Sequence, residues 1–228
     1  MKNPLVVGYK GEIGSFILNG LLRVMPKALD IWCVDVNETQ EEVEQRIGKA
    51  DVVFLCIPMH KTVDWILKNK ELLYGTTVIE QCSLKEWVYE GVNGVDVRSM
   101  HILFRPSQTP NLDDRSVGLF RGQFDEEMAD QITGITQSKI VWYENAMDHD
   151  KEMAIQQALA HRTLLTVGKM LRRCHGSTYI SKKVLELEAR IRSGNKGLYG
   201  LIQSNKYLPE AMGELDREIK GFDVGEYW

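Results

Sequence analysis

The sequence predicts an α/β protein, a doubly wound and mainly parallel sheet followed by a smaller all-α region. Three observations lead there. Short apolar runs alternate with helical stretches at the interval of βαβ units up to residue 147, the first run breaks into a glycine turn, and no strand pattern follows Met147. Near-continuous apolar strands need both faces covered, which helices on either side of a parallel sheet provide.

The first run, Leu5-Val6-Val7, opens into glycines at Gly8, Gly11 and Gly14, and an apolar helical pattern resumes at Phe16, Ile17, Leu21 and Leu22. Strand, tight turn and helix in this order bring backbone N–H groups and the positive end of a helix to one point, which suits a pyrophosphate. The usual spacing is G-x-G-x-x-G. Here Gly11 and Gly14 fit it, Tyr9 takes the first glycine's place and Gly8 lies one residue early. Alone, the turn reads either as a dinucleotide site or as a glycine-rich connection. A second strand, Asp30 to Asp35, ends in a carboxylate 21 residues beyond Gly14, where an acidic side chain accepts hydrogen bonds from an adenosine ribose. That carboxylate repels a 2′-phosphate, and no arginine follows in Val36-Asn37-Glu38, so NAD is expected over NADP.

Glu38 to Arg46 reads as a short exposed helix or loop, and Ala50 to Pro58 is the clearest strand in the chain. A helix around Thr62 to Lys68 follows, then a strand from Thr76 to Gln81 that runs into Cys82-Ser83-Leu84-Lys85. Ligands of such Rossmann-type sheets lie beyond the carboxyl ends of the strands, where Pro58, Met59, His60, Ser83 and Lys85 fall. The stretch Val97 to Pro106 approaches the same edge with His101 and Arg105. A polar loop through Arg115, a strand at Ser116 to Phe120, a helix at Glu126 to Ile135 and a strand at Lys139 to Tyr143 complete the α/β part. Beyond it, one long helix is expected from His149 to Arg173, capped near Asp148 or Asp150, with further helices at Ser181 to Arg192, Leu198 to Ser204 and Pro209 to Lys220. Residues 1–147 are expected to bind the dinucleotide; residues 148–228 cannot enclose much core alone and are expected to pair with a second subunit.

A net charge of −4 leaves no basic footprint for nucleic acid. No apolar run reaches the roughly 18 residues of a membrane span, and Met1-Lys2-Asn3 leads straight into a strand, so neither a membrane segment nor a signal peptide is expected, and a cytoplasmic location is. Cys33, Cys56, Cys82 and Cys174 are widely separated and form neither a disulfide framework nor a metal site by spacing.

Asp150, Gln157 and His161 recur at intervals of seven and four, so on a continuous α-helix they share one face. They line a wet cavity or tie helices together. Arg190, among Leu185, Leu187 and Ile191, either snorkels to water or grips a carboxylate with two parallel hydrogen bonds. His101 is either a satisfied structural histidine or a group at the nicotinamide edge.

Assembled in order, these residues resemble the prephenate dehydrogenases of tyrosine biosynthesis, with the arogenate dehydrogenases. The glycine turn comes first. Cys82-Ser83-Leu84-Lys85 resembles the family's T-S-V-K, and Met100 to Phe104 its H-P-M-F-G. His149-Asp150 through Met153, Gln157-Ala158-Leu159 and His161 is similar to H-D-x-x-M-x-x-x-Q-A-L-x-H. Ala189-Arg190-Ile191, with Leu198-Tyr199 downstream, resembles G-R-L ahead of L-Y. The set covers residue 4 to about 205.

The resemblance implies NAD-dependent oxidative decarboxylation of prephenate to 4-hydroxyphenylpyruvate. It makes His101 the acceptor of the 4-hydroxyl proton, a task that suits neutral imidazole, and Ser83 the group that orients it. Arg190 would bind a carboxylate of the dicarboxylate substrate, His149, Gln157 and His161 would line the pocket, and the C-terminal helices would form a homodimer with the active site between the domains. Gly8, Gly11, Glu12, Ile13, Gly14, Asp35 and Pro58 are the expected cofactor contacts; no metal is implied. The sequence departs from the family at Ile102, which replaces a proline, at Arg105, which replaces a glycine, and at Tyr9 and Lys10 in the turn. Arg105 then either adds a carboxylate contact or fills the pocket, and Lys10 approaches a phosphate. Arogenate or an amino-substituted prephenate is the alternative substrate, and a non-catalytic dinucleotide- or metabolite-binding dimer the alternative function.

Overall fold

Alternation within the first apolar run shows how the sheet is filled. In β1 (Pro4–Val7), Val6 joins one hydrophobic layer while Leu5 and Val7 join the other, and all four residues are buried. The computed structural model describes residues 1–25, 31–194 and 196–222. The chain divides into two compact units, Met1–Ala146 and Met147–Trp228. In the first, β1 is followed by α1 (Glu12–Val24), β2 (Trp32–Val34), α2 (Gln40–Ile47), β3 (Val52–Leu55), α3 (Met59–Lys68), β4 (Thr77–Glu80) and α4 (Glu86–Gly91). Then come β5 (Val97–Ile102), β6 (Ser116–Phe120), α5 (Glu126–Thr136) and β7 (Lys139–Tyr143). Asp30, the expected start of the second strand, lies outside the described residues.

The strands order as β2-β1-β3-β4-β5-β6-β7. Every neighbouring pair is parallel except β5 with β6. This is the doubly wound, mainly parallel Rossmann-type sheet expected from the sequence. The one reversal has a local cause: between β5 and β6 the chain makes two short 3-10 turns, Pro106–Gln108 and Leu112–Asp114, in place of the helix that usually crosses between parallel neighbours. On one face, Val6, Phe54, Ile79, Met100 and Leu119 pack with Ile17 and Leu21 of α1 and Ile132 and Ile135 of α5. On the other, Val53, Leu55 and Val78 pack with Val43 and Ile47 of α2 and Ile66 of α3. Each such side chain contributes about 1.5–3 kcal/mol of burial, which outweighs the few tenths that separate most helix propensities.

The second unit is helical. It holds α6 (Ala146–Met153), a π-helical turn (Ala154–Leu159), α7 (Ala160–Leu171), α8 (Tyr179–Ser193), α9 (Lys196–Gln203) and α10 (Leu208–Gly221). The long helix therefore starts before Asp148 and Asp150, which lie inside α6 and do not cap it, and it is not α-helical throughout. One cluster of its core joins Ala158, Ile202 and Leu208, with Leu159 and Tyr199 against them.

Helices α7 and α8 are joined by charge. Glu188 is buried and accepts hydrogen bonds from Arg172 Nη1 (2.5 Å) and from Arg192 Nε. The Arg172 hydrogen bond, then that of Arg192, holds this carboxyl at about 2 against an ordinary glutamate value of 4.5. A depressed carboxyl contributes stability above its unfolded pKa and loses it as pH falls through the folded one, so the contribution is full above about pH 4.5 and gone near pH 2. Acid titration followed by circular dichroism is expected to show wild type losing helicity across this window more steeply than Glu188→Gln. Superimposable transitions would show the pair to be irrelevant to the hairpin.

Candidate active site

The glycine turn is built by three glycines with separate tasks. Gly8 has φ +82°, and its N–H donates to the Val34 carbonyl at 2.7 Å. It therefore supplies the left-handed residue that the usual spacing would place at Tyr9. Gly11 is the extended residue before α1, and its N–H donates to the Gly8 carbonyl at 3.0 Å. Gly14 lets α1 approach the turn, since a Cβ there would lie 2.1 Å from the Gly8 oxygen. Gly14→Ala is accordingly expected to destabilise the protein by about 1–3 kcal/mol, the cost of overpacking. Chemical denaturation measures it, and an unchanged midpoint would refute it.

No side chain caps α1, and among the described residues the N–H groups of Glu12, Ile13 and Gly14 have no acceptor. These three donors at a helix N-terminus are suited to an anion. Asp35 lies just beyond β2 and braces the turn, its Oδ2 accepting from Lys10 N (2.9 Å) and its Oδ1 from Val36 N (2.8 Å). Each oxygen keeps a further lone pair for a hydroxyl donor. Pro58 immediately precedes α3, at the carboxyl end of β3. The Lys10 ammonium lies over its neighbour's ring, 5.3 Å from the centre of Tyr9.

Ser83 and His101 belong to the carboxyl ends of adjacent parallel strands. Glu80, the last residue of β4, pairs with Ser99 of β5. His101 follows two residues later, buried and opposite Gly118 of β6, while Ser83 is half-buried in the bend after β4. A buried polar network joins the two strand ends, and it takes up Lys85, which the sequence places among the residues at the ligand edge. The Lys85 ammonium donates to Glu80 Oε1 (2.8 Å) and to the carbonyl of Met100 (2.9 Å), the residue before His101. The second Glu80 oxygen accepts the Cys82 N–H at 2.6 Å, and Ser99 Oγ donates to Oε1. Both charged side chains are fully buried. One ion pair thus fixes the end of β4, the bend carrying Ser83 and the end of β5. The available signal was an acid closing an otherwise apolar strand with a lysine five residues on.

The Cys56 thiol is pushed up to about 12 by burial, and the Cys82 thiol is raised by burial and by Glu80. Neither has the thiolate character of a nucleophile. Both amide atoms of Gln81, at the same strand end, are buried without a hydrogen-bond partner among the described residues.

Arg105 departs most from the sequence-based expectation. Its Nε donates to Glu12 Oε2 in the glycine turn at 3.0 Å, and Ser107 donates to Glu12 Oε1 from its N–H (3.0 Å) and its hydroxyl (2.5 Å). Burial pushes the Glu12 carboxyl up, but the hydrogen bonds from Ser107 and Arg105 outweigh it and leave the group below its ordinary value.

In the second unit, His149 Nδ1 lies 2.8 Å from Asp150 Oδ1, with both side chains buried, and Asn205 Nδ2 donates to the Asp150 carbonyl at 2.7 Å. Gln157 lies in the π turn and His161 at the second residue of α7. A π turn closes i→i+5 rings, so it rotates the C-terminal part of the helix relative to the N-terminal part, and a face counted on α-helical periodicity does not run unbroken from Asp150 to His161. Gln157 Oε1 and His161 Nδ1 are buried without a partner among the described residues. The His161 ring meets Tyr199 edge to face at 5.1 Å, and burial pulls its pKa down, which favours the neutral imidazole. Arg190 is exposed on α8, and among the described residues its guanidinium makes no hydrogen bond.

No protein-family model and no curated protein matches the sequence. Solved structures match by shape. A candidate prephenate dehydrogenase from Corynebacterium glutamicum ATCC 13032 has TM-score 0.75 at 14% identity, over 96% of this chain and 79% of that one. Prephenate dehydrogenase from A. aeolicus, in complex with hydroxyphenyl propionate and NAD+, has TM-score 0.73 at 17% identity, over 96% and 88%. A second structure of the Aquifex aeolicus protein has TM-score 0.68 at 18% identity, over 96% and 90%. The fold is that of the prephenate dehydrogenases. Within that fold the first unit here brings together the glycine turn, Asp35, Ser83, His101 and Arg105, and the second unit holds His149, Gln157, His161 and Arg190.

Proposed function

We propose that the chain is an NAD-dependent dehydrogenase acting on prephenate. The observation that carries this reading is the position of His101 and Ser83 at adjacent strand ends of the sheet whose first strand leads into the glycine turn. The turn fits a dinucleotide: among the described residues three first-turn N–H groups lack acceptors, and a Cβ added at Gly11 would meet only the Gly8 oxygen, at 3.3 Å. NAD, when bound, supplies the hydride acceptor. His101 takes the 4-hydroxyl proton as hydride leaves C4 and the ring carboxylate departs as CO₂, giving 4-hydroxyphenylpyruvate, and Ser83 orients the hydroxyl or the imidazole. Arg190 anchors a carboxylate of the substrate. His149, Gln157 and His161 contribute polar contacts, and Gln157 Oε1 and His161 Nδ1, buried without a partner among the described residues, are atoms that a polar substrate would satisfy.

Apolar side chains exposed on α7 and α8, including Met170 (61%), Tyr179 (73%) and Ile180 (67%), support a homodimer through the C-terminal helices. Among the described residues no helix is long and apolar enough to cross a membrane. A cytoplasmic location belongs to the same proposal.

Following NADH formation with prephenate and with arogenate tests the reaction and the substrate. Turnover of prephenate supports the reading, and faster turnover of arogenate moves the substrate to its amino analogue. Binding of NAD+ with no turnover of either would leave a non-catalytic dinucleotide-binding protein.

A further inference from the structure

We propose that Arg105 is a contact for the diphosphate of the dinucleotide and not for a substrate carboxylate. This rests on the dinucleotide reading of the glycine turn. Arg105 leaves the loop after β5 and reaches the first residue of α1, where its Nε pairs with Glu12. That bond uses one edge of the guanidinium. Among the described residues Nη1 and Nη2 have no hydrogen-bond partner, and the side chain is 53% exposed. The remaining edge is a two-pronged donor of the kind that matches phosphate oxygens.

Charge gives a second argument. A carboxylate at the N-terminus of α1 complements the helix dipole but opposes an incoming diphosphate at the same place. Arg105 cancels that charge, and both Ser107 donors fix the carboxylate against the loop. The other arginine of this loop region is committed elsewhere: Arg115 Nε donates to the Thr109 carbonyl, and its guanidinium lies over the rings of Phe16 and Phe104. Glu12 therefore acts as the positioning residue and Arg105 as the ligand contact. The same clip ties the cofactor turn to the loop that begins directly after the strand bearing His101.

The test is calorimetric titration of NAD+ and of ADP into wild type, Arg105→Gln, Glu12→Gln and the double variant, with the KM for prephenate measured at saturating NAD+. Loss of hydrogen bonds to a charged group predicts about tenfold or more weaker binding of both nucleotides to Arg105→Gln. A flatter dependence on salt and an unchanged KM for prephenate are expected with it. The double variant should stay weak, because neutralising Glu12 does not replace the lost contact. Wild-type affinity in Arg105→Gln, full recovery in the double variant, or an effect confined to the prephenate KM would overturn the proposal. A wild type that binds neither NAD+ nor NADP+ would remove the dinucleotide reading along with it, whereas intact wild-type binding with an unaffected variant removes this inference alone.

Discussion

His101→Asn is expected to lower the rate of NADH formation from prephenate by about a hundredfold or more, with little change in NAD+ affinity. Asparagine keeps a side-chain hydrogen-bonding group but cannot accept a proton in the transition state, and general base catalysis is typically worth about 10²–10⁴-fold. His101 is buried in β5, in backbone register with Gly118, so the smaller side chain leaves the strand pairing in place. Under the proposed function the loss belongs in kcat, because the group would act on the reacting hydroxyl and not on the glycine turn. Steady-state kinetics beside NAD+ titration separate the two. A variant with unaltered kcat would remove His101 from the reaction and leave it a packing residue.

Lys85→Met is expected to destabilise the protein by about 3–5 kcal/mol, the usual result of leaving one member of a buried ion pair alone. Lys85 and Glu80 are both fully buried, and the substitution also strips the Met100 carbonyl of a donor. Replacing Glu80 as well removes the isolated charge, so Glu80→Met/Lys85→Met should recover part of the loss. Recovery stays partial because the Cys82 N–H and the Ser99 hydroxyl then lack the acceptor that Glu80 provides. Urea midpoints of the two single variants and the double variant check this. Equal stability of Lys85→Met and wild type would mean that the pair does not hold the strand ends.

The sheet was legible because its signal is local. Leu5-Val6-Val7 and Val52 to Leu55 are buried on both faces, so every residue in them is apolar, and β6 and β7 begin and end where the apolar pattern does. The glycine turn could be located but not resolved, because only the backbone shows that Gly8 carries the positive φ expected at the next position. Three features had no local signal. Helix α4 follows Lys85, whose side chain makes no cap. Arg105 meets Glu12 across 93 residues, so a pattern placing it at the end of its own strand could not show that it turns toward the first residue of α1. The Glu188 pair with Arg172 depends on how two helices pack, which the sequence of neither helix shows.

The π turn between α6 and α7 has a consequence for the reading frame of the helix. A π turn is an α-helix that holds one residue too many, and the backbone carbonyl of Ala158 within it is taken up by Gln203 Nε2 at 2.7 Å. Deleting a single residue there, such as exposed Ile155, would restore ordinary α-helical spacing. His161 would nonetheless keep its present facing relative to His149, because a wide turn with one extra residue sweeps about the same angle as an ordinary α-helical turn. The surplus residue is thus an indel-sized setting: the helix could lose it and become more regular while the histidines at its two ends kept their facing, so the turn absorbs a change in chain length that a uniform α-helix would pass on as a rotation.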